Sequence, residues 1–226
     1  MQPSYTVSPV STGYPDFDTL LQADGIPTGN VCTVRSDPTA SAYEFLLSIM
    51  RANFERGHFI TIERDKPAVL SALRDLNTNL KTASQVVDLS NGTTGTELVE
   101  AVTERSLTPR DIVIIDTLNA VTDTDERAYS ELYRHLKQIA IENEIVVICH
   151  YRTQMDSRVS FRSAVDYLSD FLLSISMSMS EEGIKQQLWV ERLPVGEGLK
   201  ESQRNTRLIS VDGSGDQLSL NTGGRI

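Results

Sequence analysis

Residues Arg110-Asp111-Ile112-Val113-Ile114-Ile115-Asp116-Thr117 constrain the fold more than any other stretch. Ile112 to Ile115 is an unbroken β-branched run, which fits a central strand buried on both faces. The run ends in a carboxylate, where a parallel sheet presents its carboxyl ends to a ligand. An aspartate there commonly orients a metal-bound phosphate through water, because Mg²⁺ keeps much of its hydration shell. A capped strand end beginning a turn gives the same pattern, so the flanking sequence has to decide.

That sequence alternates strand and helix signals. A turn from Ser11 leads into a short helix with Phe17, Leu20 and Leu21 on one face, and Asp24 to Gly29 is a turn-rich loop. Asn30 to Arg35 is a first strand. A helix over 43–56 follows, with Tyr43, Leu46, Leu47, Met50 and Phe54 at 3–4 spacing. His58 to Ile62 is a strand ending at Glu63. Pro67 to Leu76 is a helix with Val69, Leu73 and Leu76 inward, its proline suited to a first turn. Val86 to Leu89 is a short strand, Asn91-Gly-Thr-Thr-Gly95 a turn, and Thr96 the expected cap of a helix carrying Leu98, Val99 and Val102.

Beyond the opening strand, Glu126 to Asn143 is an amphipathic helix that buries Tyr129, Leu132, Leu136, Ile139 and Ala140. Glu144 to His150 is another buried strand, Phe161 to Leu168 a helix, and Phe171 to Ile175 a strand. Strand-like pieces at 187–191, 206–211 and 217–220 close the chain, with Asp212-Gly-Ser-Gly215 as a hairpin turn. Repeated strand–helix units predict an α/β fold with a mostly parallel sheet, helices on both faces and antiparallel hairpin strands at the C-terminus. The 226 residues are read as one domain, 1–226, with 1–10 a flexible N-terminus.

Composition excludes several classes. No apolar run approaches the roughly 20 residues of a membrane span, and no basic-then-apolar leader opens the chain, so a cytoplasmic protein is expected. The 21 basic and 31 acidic residues give a net charge of −10, which argues against generic nucleic-acid binding. Acid excess with 16 arginines and only 5 lysines suits a salt-rich cytosol. Cys32 and Cys149 each fall in an apolar strand-like stretch and read as two buried thiols, ahead of a disulfide or a metal pair.

Several pieces fall in one order. Thr12-Gly-Tyr-Pro-Asp-Phe-Asp-Thr-Leu-Leu and Gly25-Ile-Pro-Thr-Gly-Asn-Val resemble the entry segment of RecA-type ATPases of the KaiC and archaeal RadA branch. Asp116-Thr-Leu-Asn-Ala-Val resembles that family's Walker B segment, and Leu188-Trp-Val-Glu-Arg192 its late strand with a basic residue. The resemblance spans about residues 11–222 and implies a three-layer RecA-like P-loop NTPase fold, haloarchaeal given the acidic composition. It implies roles for Glu63 as catalytic base, Asp116 as metal-orienting acid, His150 at the sensor position and Arg192 where a lysine reaches a neighbour's nucleotide.

The phosphate loop departs from the pattern. G-x-x-x-x-G-K-[ST] becomes Ser36-Asp37-Pro38-Thr39-Ala40-Ser41-Ala42-Tyr43. Both glycines are serine, the lysine is Ala42, and the Mg²⁺-binding hydroxyl is Tyr43. The motif needs glycine so that backbone N–H groups converge on phosphate without Cβ obstruction. It needs lysine for the β/γ oxygens and a small hydroxyl for the metal. Losing two charged hydrogen bonds costs about 3–6 kcal/mol, roughly 10²–10⁴-fold in affinity.

These residues therefore read as a degenerate nucleotide site. For Glu63 the plain alternative is a strand-end carboxylate paired with Arg64 or Lys66. For Asp116 it is a structural hydrogen-bonding role, and for His150 a hydrogen-bonded strand end. No cofactor is expected, with ATP and Mg²⁺ at most weak ligands. The function expected is a non-catalytic regulator or assembly protein with a protein partner or related RecA-fold subunit, the oligomeric state being left open. A divergent KaiC-type ATPase and a recombinase-paralogue-like DNA-repair accessory are the alternatives.

Overall fold

Every side chain of the Ile112–Ile115 run is buried, and the run is a strand with neighbours on both sides. The computed structural model describes residues 9–21, 25–37, 40, 42–75, 85–122, 125–153, 165, 167–180, 183–192, 208–211 and 218–219. The chain enters through β1 (Pro9–Val10), α1 (Pro15–Leu20) and β2 (Ile26–Pro27). Next come β3 (Asn30–Ser36), α2 (Ala42–Ala52), β4 (Gly57–Thr61), α3 (Lys66–Asp75) and β5 (Val86–Asp88). β6 (Thr93–Thr94), α4 (Gly95–Thr103), β7 (Ile112–Ile115), β8 (Val121–Thr122), α5 (Glu126–Glu142) and β9 (Val146–Arg152) follow. The last strands are β10 (Phe171–Ser180), β11 (Gly183–Arg192), β12 (Leu208–Val211) and β13 (Leu218–Ser219).

Nine strands form one sheet in the order β13-β12-β11-β10-β3-β9-β7-β4-β5. From β10 to β5 all neighbours are parallel, and β10 through β13 pair antiparallel. Alternate side chains of the parallel strands feed two cores. Cys32, Val34, Phe59, Ile114 and Ile148 pack with α1, α2 and α3. Val31, Ile60, Val113, Ile115, Val147 and Cys149 pack with α4 and α5. Cys32 and Cys149 are free, buried and on opposite faces, so the thiol reading holds and a disulfide between them is excluded. No helix among the described residues is long and apolar enough to cross a membrane.

Several boundaries differ from the expectation. The helix predicted over 43–56 stops at Ala52, where Asn53 turns its side-chain amide back onto Ile49 O; Phe54 lies beyond it, 36% exposed. The strand expected at 144–150 runs from Val146 to Arg152, because Glu144 sits in a left-handed turn with φ 53°. Pro9 and Val10, expected to be flexible, pair with Pro27 and Ile26, and Val10 is buried. The helix read at 161–168 is described only at Val165, Tyr167 and Leu168, and the hairpin turn at 212–215 lies outside the described residues, as do Leu76 and the terminal residues of the strand read at 217–220.

The α4 cap is also corrected. Thr94, not Thr96, is the N-cap: its hydroxyl accepts from Glu97 N–H while the Glu97 carboxylate accepts from Thr94 N–H. This reciprocal capping box was legible as Thr-x-x-Glu, but a second threonine two residues on obscured it. Thr94→Ala should therefore cost about 1 kcal/mol in a urea unfolding curve, whereas Thr96→Ala should stay within about 0.5 kcal/mol. Equal losses would contradict the assignment.

Candidate functional site

The connection leaving β3 leads to α2 on one face of the sheet and that leaving β7 leads to α5 on the other, and ligands of open α/β sheets bind at the strands' carboxyl ends. Here β4, β7, β9 and β3 lie side by side. Their register aligns Thr61, Asp116 and His150, and Ser36 stands two residues past the Val34 that pairs with His150. All four are buried: Thr61 0%, Asp116 5%, His150 4% and Ser36 2% exposed. Four polar side chains at that depth must find partners, since an unpaired buried group costs about 1–3 kcal/mol.

They find them in one another. His150 Nδ1 lies 2.5 Å from Asp116 O, a carbonyl that can only accept, so Nδ1 carries the proton. In the neutral ring Nε2 then accepts, and the Ser36 hydroxyl donates to it at 2.8 Å. Burial pushes the His150 pKa down to about 4, which keeps the ring in this neutral form. The Asp116 carboxyl accepts from Ile62 N–H at 2.9 Å through Oδ1 and faces Thr61 Oγ1 at 2.7 Å through Oδ2. Thr61 Oγ1 is also 2.6 Å from Arg64 O, yet has one proton to give. Both contacts are hydrogen bonds when Asp116 itself holds a proton, and burial raises its pKa in that direction.

The loop after β3 is equally occupied. Asp37 N–H donates to Ile175 O, Ala40 N–H to Asp37 O and Ala42 N–H to Ala40 O, at 3.0–3.1 Å. Ser36 O accepts from Thr153 N–H, and the Asp37 carboxylate from the Thr153 hydroxyl. Pro38, Thr39 and Ser41 lie outside the described residues. Tyr43 packs edge-on against Phe59, and the Arg64 guanidinium lies over its ring at 4.0 Å from the centroid. Burial also raises the phenol's pKa, and its buried hydroxyl has no hydrogen-bond partner among the described residues.

Glu63 is paired, but not as expected. Neither Arg64 nor Lys66 takes it; Arg152, 89 residues away in sequence, grips both carboxylate oxygens at 2.5 and 2.7 Å. This fork spans β7, from the end of β4 to the end of β9, above Asp116 and His150. Asn119 fastens the same corner by accepting from Arg152 N–H and donating to Arg152 O. Arg192 stands apart from this group. It lies opposite Leu172, near the start of β10, and donates to Tyr167 O and Ser169 O.

Thr61, Arg152 and Asn119 are the site residues that sequence reasoning missed. Thr61 carried a weak signal, a hydroxyl two residues before an expected acid. The other two carried none, because their partners are set by strand order. Among the described residues, no group of three or more His, Cys, Asp or Glu is placed to hold a metal ion.

The mostly parallel sheet between helical layers, with antiparallel strands at its C-terminal edge, matches a KaiC-like RecA fold. A crystal structure of a KaiC-like protein from the hyperthermophilic archaeon Pyrococcus horikoshii superposes with a TM-score of 0.68, covering 90% of this chain and 94% of that one at 13% identity. That likeness concerns the fold. By sequence, residues 9–216 match DUF7125, a family of unknown function, and the chain belongs to it. No curated protein sequence matches.

The buried histidine sets a pH dependence. Unfolded, His150 takes a proton near 6.5; folded, only near 4. Unfolding thus binds a proton between those values, so this contribution is full above pH 6.5, falls as pH drops toward 4 and is flat below. It amounts to on the order of 3 kcal/mol. His150→Gln should show a shallower loss of urea stability across that window. Ser36→Ala, which strands Nε2, should cost about 1–3 kcal/mol at neutral pH; no cost would contradict the bond.

Proposed function

We propose that this protein is a non-catalytic RecA/KaiC-like regulatory or assembly protein, in which the degenerate nucleotide crevice has become a structural joint. The observation that carries the reading is the Ser36–His150–Asp116 chain. The first loop position, the sensor position and the acid-bearing strand spend their hydrogen bonds on one another rather than on a ligand. Mg·ATP fits these residues poorly. A triphosphate needs converging loop N–H groups, a cation and a small hydroxyl. Here three of those N–H groups already donate to carbonyls, Ala42 replaces the lysine, and a tyrosine ring under Arg64 replaces the hydroxyl. Glu63, the family's base position, is held by Arg152. No catalytic step is assigned, and ATP and Mg²⁺ are at best weak ligands.

What remains is a rigid scaffold suited to a protein partner or a related RecA-fold subunit, in the cytoplasm of a salt-adapted archaeon. The net charge of −10 disfavours the DNA-repair reading.

Thermal denaturation with and without about 1 mM Mg·ATP tests this. A micromolar ligand at that concentration adds about 4 kcal/mol, a rise on the order of 10 °C for a chain of this size. A millimolar one adds about 0.4 kcal/mol, or roughly 1–2 °C. The smaller figure is expected. A large shift abolished by Asp116→Ala would favour the divergent ATP-binding reading instead, and retention on single-stranded DNA at high salt would favour the repair accessory.

A further inference from the structure

The turn joining β5 to β6 carries a chemistry that the crevice does not use. Among the described residues, Asn30, Asn53, Asn119 and Asn143 all have side-chain amides held by hydrogen bonds. Asn91 has no such bond to a described residue, is exposed, and precedes Gly92, which is exposed as well. Gly92 has φ +98° and open space on the side where a Cβ would stand. An exposed asparagine whose amide is held by no described residue, followed by a residue without a side chain, lacks the hydrogen-bonding and steric obstacles to attack of the next backbone nitrogen on its own side chain. No other described asparagine combines these features, since Asn30, Asn53, Asn119 and Asn143 precede Val31, Phe54, Ala120 and Glu144.

We infer that Asn91–Gly92 is a self-modification site, at which the folded protein converts Asn91 to aspartate and isoaspartate. Gly92 nitrogen, as it gives up its proton to base, bonds to Asn91 Cγ. The side-chain amide C–N bond breaks and its nitrogen leaves as ammonia, closing a succinimide. Water then opens the ring at either carbonyl, so the sum is one water consumed and one ammonia released. Opening at the Cα side yields isoaspartate, which lengthens the backbone by one methylene ahead of the β6–β8 pairing Thr93↔Val121. Opening at Cγ yields aspartate, three residues ahead of the Thr94 cap.

The test incubates the folded protein at mildly alkaline pH and digests it with trypsin. Residues 82–105 form one peptide, in which Asn91 is the only asparagine. The expected result is a new species with hydroxyl in place of amide at residue 91, part of it isoaspartate by fragmentation. It should accumulate faster at higher pH and be lost in Asn91→Gln. Asn91→Asp should melt at the wild-type temperature, showing that the turn tolerates the charge. An unmodified peptide from folded protein, after an incubation that converts half of the chain unfolded in guanidinium, would overturn the inference. So would modification at the hydrogen-bonded asparagines at an equal rate.

Discussion

Two hydrogen bonds across three strands determine how the crevice end of this protein is built. Ser36 donates to His150, and His150 donates to the carbonyl of Asp116, joining β3, β9 and β7 where their backbone pairing ends. A parallel sheet leaves its carboxyl ends open, and burying polar side chains there requires either a ligand or mutual satisfaction. This chain uses the second solution. The neutral imidazole suits the role, since it donates on one side and accepts on the other without bringing a charge into the core.

The surrounding layer follows the same logic. The Glu63–Arg152 fork bridges over β7, Asn119 holds the Arg152 backbone, and Arg64 lies flat on Tyr43. A bidentate arginine fixes direction as well as distance, so it ties strand ends that share no backbone pairing. Much of this pair remains solvated, and its contribution to stability is correspondingly modest. Its consequence is that both oxygens of the glutamate already face a guanidinium.

Local pattern made the framework legible in the sequence. The β-branched run at 112–115 and the 3–4 spacing in α2 and α5 both act within a few residues. The site was half legible. Asp116, His150 and the altered loop could be located because each is a strand end or its successor. Their partners could not, because Arg152 meets Glu63 across 89 residues and Ser36 meets His150 across 114. Such contacts depend on strand order and register, which no local pattern encodes. The misread details have the same origin: Val10 is a strand only because Ile26 pairs with it, and Glu144 leaves the strand through a left-handed turn.

The central claim is that His150 is a fixed, neutral link between Ser36 and Asp116. Long-range ¹H–¹⁵N correlation of the imidazole nitrogens reads this directly, since protonated, accepting and doubly protonated nitrogens resonate apart. The account predicts a proton on Nδ1 and none on Nε2 at neutral pH, unchanged when Mg·ATP is added. A proton on Nε2, a charged ring, or a pattern that nucleotide rearranges would contradict it.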